Sequence, residues 1–280
     1  MGRFTSITNF SSFFTPPLAG WAWDIGQASG IGGASPAFGV IVVLNILLWI
    51  SVSLMPIPQS VSLPKGPPSL RALLPSLLDY KEAFGLFLIP TVAFVVIGSF
   101  LMNGVIQVRM NFLSLYMESV GYEGRIIGFV SGFAFFVAGV TALQTEQAKR
   151  HLAPYWIVVF MVLLTAAANG IVPLFEAIPG LILTTILFGI GVGLGMAFVL
   201  TLLSRSVPVS QFGLSVGLRT TGNRFGATIL PPIAGFAIDF AGGDFGAGFT
   251  MTSIMFALGA VGIAILALRS KTIRDSFSKD

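Results

Sequence analysis

The chain has 280 residues, of which 55% are apolar and 9% charged. Its mean hydropathy is +0.91. An ordinary globular domain carries roughly a quarter charged residues, so 15 basic and 11 acidic side chains cannot clothe a water-soluble surface of this size. Cysteine is absent and His151 is the sole histidine, which excludes a disulfide framework and argues against a zinc site.

A helix needs about 20 apolar residues to cross a hydrocarbon core of roughly 30 Å. Read in chain order, eight stretches meet that length: 4–25, 36–55, 84–106 (continuing to about 117), 124–143, 154–174, 179–203, 211–238 and 249–268. The expected fold is therefore all-α and polytopic, with the lipid bilayer as its main solvent. The first span is rich in Ser, Thr and Asn in its first half, so it should be buried among other helices. Between the second and third spans, residues 56–83 hold Pro56, Pro58, Pro64, Pro67 and Pro68, which forbid a continuing helix. Leu70, Leu73, Leu74, Leu77 and Leu78 follow with helical spacing and fit a short helix along the membrane surface. This linker divides residues 1–55 from the six spans of 84–268, and residues 269–280 form a polar tail.

The isoelectric point near 9.7 does not mark a nucleic-acid binder. Most basic residues lie in short loops on one side of the spans, and only Arg109 and Arg125 are near the other. With the N-terminus inside, Arg3, Lys65, Arg71, Lys81, Lys149, Arg150, Arg205, Arg269, Lys271, Arg274 and Lys279 are cytoplasmic, and Asp24, Glu118, Glu123, Glu176, Asp239 and Asp244 are outside. That bias predicts two cytoplasmic termini. The expected location is a bacterial inner membrane.

The first and seventh spans repeat one another. Residues 16–24 read PPLAGWAWD and residues 231–239 read PPIAGFAID, and at the same spacing of 215 Gly2, Thr5 and Phe10 match Gly217, Thr220 and Phe225. Each match leads into a Gly-rich loop and another span. The first two spans thus duplicate the last two, and they are expected to close a six-span unit of their own whose first four spans precede residue 1.

Two six-helix units joined by a cytoplasmic linker resemble the major facilitator superfamily of secondary transporters. Gly217-Leu218-Arg219-Thr220-Thr221-Gly222-Asn223-Arg224, leading to Pro231, Pro232 and Gly235, looks like that family's eleventh helix. Pro16, Pro17 and Gly20 resemble the end of its fifth helix, although Trp21 stands where the motif has its last Gly. The echo of the family's loop motif at Gly139 to Arg150 keeps the Gly and the basic pair but lacks the Asp-Arg centre. The resemblance covers helices five to twelve. It implies alternating-access transport of a small solute, with no enzyme activity and no cofactor.

Candidate site residues follow from helical geometry. Asn103, Gln107, Asn111 and Ser114 share an arc of about 80° at 100° per residue, a polar stripe that either lines a cavity or bonds neighbouring helices. In the resembled family the seventh helix, which this span would be, lines the cavity. Arg109, a further cavity-lining candidate, lies on the opposite face if the helix is regular; it then snorkels to the outer interface, or a kink turns it into the cavity. Arg219, Asn223 and Arg224 lie in the seventh span, with the arginines about 140° apart. They form a positive cytoplasmic mouth, draw in an anionic solute group, or pair across a gate. Gly189, Gly191, Gly193 and Gly195 give small-xxx-small spacing for helix packing or gate flexibility. No Asp or Glu lies mid-span, so a coupling carboxylate would belong to other helices. Gly213 to Gly217 fits Gly-x-Ser-x-Gly, but inside a span and without a nearby His it does not make a nucleophile. The Gly-rich stretch 26–39 contains no Lys and suits an outer loop better than a phosphate cradle. The alternative reading is a complete eight-span scaffold or assembly protein that transports nothing.

Overall fold

The computed structural model describes residues 2–55, 77–151 and 153–277. Among these there is no strand, and about 90% of the structure is helical. The order is α1 (Gly2–Ala28), α2 (Ala34–Ser53), α3 (Leu77–Gly85), α4 (Pro90–Ser119), α5 (Gly124–Leu143), α6 (Thr145–His151), α7 (Pro154–Gly170), α8 (Ile178–Ser206), α9 (Val209–Phe240), α10 (Phe245–Arg269) and α11 (Lys271–Phe277).

Among the described residues, six helices are both long and apolar enough to cross a membrane: α2, α4, α5, α7 with its 3-10 extension to Leu174, α8 and α10. By that measure this is an integral membrane protein. α1 and α9, with 27 and 32 residues, are long enough at 1.5 Å per residue but more polar, and each carries a Pro-Pro pair inside the helix. The third span starts later than its apolar run. α3 and a 3-10 turn at Leu86–Leu88 come first, and Ile89 is extended (φ −80°, ψ 113°) before Pro90 opens α4. The residue before a proline is pushed out of the helical region, which sets that break. The fifth span likewise stops at Gly170 and continues as a 3-10 turn through Pro173. The proline-rich stretch and Leu70, Leu73 and Leu74 lie outside the described residues.

α4 is the axis of the bundle and packs on α5, α7, α8, α9 and α10. Val92, Phe94 and Val95 on α4 are fully buried, as are Met117 near its far end and Val162 on α7. Around this axis α5, α8, α7 and α10 follow one another, and α9 lies across α4 and α10. α1 attaches to the bundle chiefly through α5, and α2 packs on α1 without burying any of its residues.

Candidate functional site

The polar stripe of α4 runs from a buried end to an open one. Asn103 and Gln107 are half-buried, Asn111 is exposed, and Ser114 lines a cleft of about 520 Å³. Pro16, Gly20, Trp23 and Asp24 of α1 form one wall of this cleft. Met110, Ser114 and Glu118 of α4 and Ile127, Gly128 and Ser131 of α5 form the others. The wall is mostly apolar with a few hydroxyls and carboxylates, the composition expected of a small-molecule pocket. Glu118, Tyr122 and Glu123 sit at its rim, where Glu123 pairs with Arg125.

At the buried end the stripe is tied to α9. Asn103 Nδ2 donates to the carbonyl of Asn223 at 2.9 Å. Arg219 Nε donates to Ser99 Oγ at 3.0 Å, and Ser99 Oγ donates to Asn223 Oδ1 at 3.0 Å. Arg219, Asn223 and Asn103 thus form one network with Ser99 at its centre. Ser99 lies one turn before Asn103 and extends the same stripe, so helical spacing alone could have found it. Interhelical hydrogen bonds in membranes average about 0.6 kcal/mol, which makes this a tie that a moving helix can break. Arg224 takes no part in the network and is exposed.

Arg109 is placed differently. It is 0% exposed and faces α7 and α8, away from the stripe. Its guanidinium donates to Asn169 Oδ1 at 3.2 Å, Thr184 Oγ1 at 3.1 Å and Thr185 Oγ1 at 2.9 Å. It also stands over the Phe188 ring at 4.7 Å. No carboxylate takes part in these contacts; the charge is held by hydroxyl and amide oxygens and by the ring's negative face. Only its Nε atom finds no partner. This arginine fastens α4 to α7 and α8.

The small residues divide by the seam they serve. A Cβ on Gly189 or Gly193 would run into the α5 backbone at Ala134 and Ala138, and one on Gly191 or Gly195 would meet Thr165 of α7 or Met102 of α4. The tightest seam joins α1 to α5. Gly20 packs on the carbonyl of Gly124, and Gly128 and Gly132 pack on the backbone at Pro16 and Phe13. Gly139 receives the Phe10 ring and accepts a 2.7 Å bond from Ser6. The seam ends at Asp24, whose oxygens accept from the backbone N–H groups of Gly124 and Arg125 at 2.8 Å each. Glu123 occupies the N-cap position of α5 and makes no side-chain cap bond; the orphan N–H groups of α5 are satisfied from α1 instead. The glycines of α5 are spaced by four and carry a sequence signal of the same kind as those of α8.

On α9, Pro232 is exposed, and Pro231 and Gly235 are half-buried. The nearest atom to a Cβ on Gly235 is Phe112 Cζ at 3.7 Å, an ordinary contact. Ser215 is buried within α9 and donates to the Phe212 carbonyl, a helical setting rather than a strand-to-helix elbow. Among the described residues no group of three or more His, Asp or Glu side chains is placed to hold a metal ion. No protein-family model matches the chain, and no curated protein matches it.

Proposed function

We propose that this chain belongs to a secondary transporter of the major-facilitator type and moves a small solute by alternating access across a bacterial inner membrane, with both termini cytoplasmic. The observation that carries the reading is the setting of the α4 stripe. It lies between two helices of matching sequence, α1 and α9, with amides at its closed end and a cleft at its open end. α1 and α9 also end alike. Each is followed by a loop with two glycines at positive φ (Gly30 and Gly32, Gly242 and Gly243), a conformation that L side chains rarely adopt, and then by an apolar helix. Repeated helices around a mid-membrane site are the architecture of such transporters. The network of Ser99, Asn103, Arg219 and Asn223 is the contact that rocking would open, and Arg224 is the exposed cation through which an anionic solute would be drawn.

The test uses the absence of native cysteine. Single substitutions Gln107→Cys, Asn111→Cys and Ser114→Cys are labelled with a membrane-impermeant maleimide in proteoliposomes. A water-filled pathway labels all three at least ten times faster than Leu258→Cys on the exposed face of α10. Rates equal to that of Leu258→Cys would place the stripe in lipid and remove the transport reading.

A further inference from the structure

Among the described residues the only buried charged side chains are Arg109 and Arg219, and no carboxylate is buried. Arg219 sits at the closed end of the α4 stripe, bonded to Ser99. Arg109 sits behind the stripe, on the opposite face of α4. Every group that its guanidinium touches is neutral: the Ala168 carbonyl, the Asn169 amide, the Thr184 and Thr185 hydroxyls and the Phe188 ring. These groups satisfy N–H bonds and leave the unit charge whole. An arginine does not shed that charge by losing its proton. Because the side chain is 0% exposed, no carboxylate from another chain can reach it.

Such a charge acts at a distance. A helix with its side chains is roughly 10–12 Å across, so the guanidinium stands about that far from the stripe. Gln107 and Asn111 lie two residues to either side of it along α4. Protein rather than salt water fills the gap, so screening is weak. At an effective dielectric constant of about 20, a unit charge about 11 Å away changes the local concentration of a monovalent ion about tenfold. The acidic side chains of the cleft do not cancel this. Glu118 is exposed to solvent, Glu123 pairs with Arg125, and Asp24 faces the positive end of α5. We propose that Arg109 sets the charge selectivity of the stripe: without touching the solute, it makes the stretch at Gln107 and Asn111 favour a small solute bearing a carboxylate, sulfonate or phosphate group and repel a cation. Its bonds to α7 and α8 hold the charge at that depth. This inference rests on the reading of the stripe as a solute pathway.

The probes are two methanethiosulfonates of similar size, one carrying a sulfonate and one a trimethylammonium. The full chain with Gln107→Cys, Asn111→Cys or Ser114→Cys is reacted with each in proteoliposomes without a membrane potential. The ratio of the two rates is divided by the ratio for 2-mercaptoethanol in the same buffer. The expected result is a preference for the sulfonate of at least tenfold at Gln107→Cys and Asn111→Cys, alike within threefold, and a smaller one at Ser114→Cys, one turn from Glu118. Arg109→Gln keeps a hydrogen-bonding amide but removes the charge, and should lower the preference at least fivefold. Arg109→Lys keeps the charge and should hold the preference within twofold, although an ammonium cannot replace the forked bonds. An unchanged ratio in Arg109→Gln overturns the proposal, and so does an equal loss in both variants, which would mean a structural role alone. With Arg109 in place, a preference that falls more than threefold from Gln107→Cys to Asn111→Cys puts the source at Arg219 and overturns it too. Reaction at both cysteines without preference removes this inference and leaves the pathway; absence of reaction removes both.

Discussion

α1 and α9 carry the same residues along one face and present opposite faces to the bundle. α1 presses its Phe10, Pro16, Gly20 and Asp24 face onto α5 and leaves Ile7, 68% exposed, and Ser11 on its other side. α9 does the reverse. It buries Gly226, the counterpart of Ser11, against the Phe100 ring of α4, and leaves the Phe225 and Asp239 face open. Ala22 and its counterpart Ala237 are buried in both copies, but Phe225 and Asp239 are exposed where Phe10 and Asp24 pack on α5. A matching segment therefore does not dictate a matching contact. The face that closes is the one for which a partner of complementary shape stands nearby, and the other face stays available.

The largest test of this contrast compares arginines. Arg109→Ala removes a fully buried side chain and leaves Asn169 Oδ1 without its donor, and should cost about 3 kcal/mol in a denaturant titration of the purified protein in micelles. Arg109→Lys should recover little, because an ammonium cannot fork between Asn169 and the two threonines. Arg224→Ala on the open face should stay within about 0.5 kcal/mol. If the two alanine variants cost alike, the open face is not open.

Next come the glycines. Gly128→Leu forces a side chain into the backbone at Pro16 and should cost about 2 to 3 kcal/mol, with α1 becoming sensitive to protease. Gly235→Ala, where the added carbon meets Phe112 at 3.7 Å, should change stability by less than about 0.5 kcal/mol. The smallest effect separates the aspartates. Asp24→Ala should cost about 1 kcal/mol by removing the cap on α5, and Asp24→Asn about half of that. Asp239→Ala should be neutral in the same denaturant titration, and a measured loss there would mean that Asp239 already has a partner.

Much of this molecule was legible one residue at a time. Hydropathy placed α2, α5 and α10 within a few residues, because a bilayer demands long apolar runs whatever lies beside them. The expected third span, from residue 84, missed the start of α4 at Pro90, which a local steric rule sets. The 215-residue repeat was visible as text, and helical spacing puts Asn103, Gln107, Asn111 and Ser114 on one face of α4, of which Asn103 bonds α9 and Ser114 lines the cleft. It also put Arg109 on the far face of α4.

What spacing could not supply was the neighbour. Arg109 is fastened by Asn169, Thr184 and Thr185, which lie 60 to 76 residues away and carry no pattern that points to it. Asp24 caps a helix 100 residues further on. Nothing in the repeat says that Asp24 has found its helix and that Asp239 has not. Periodicity fixes which residues share a face, because the helix is a local object. Which face is covered depends on the relative placement of whole helices, and that is decided only when they pack.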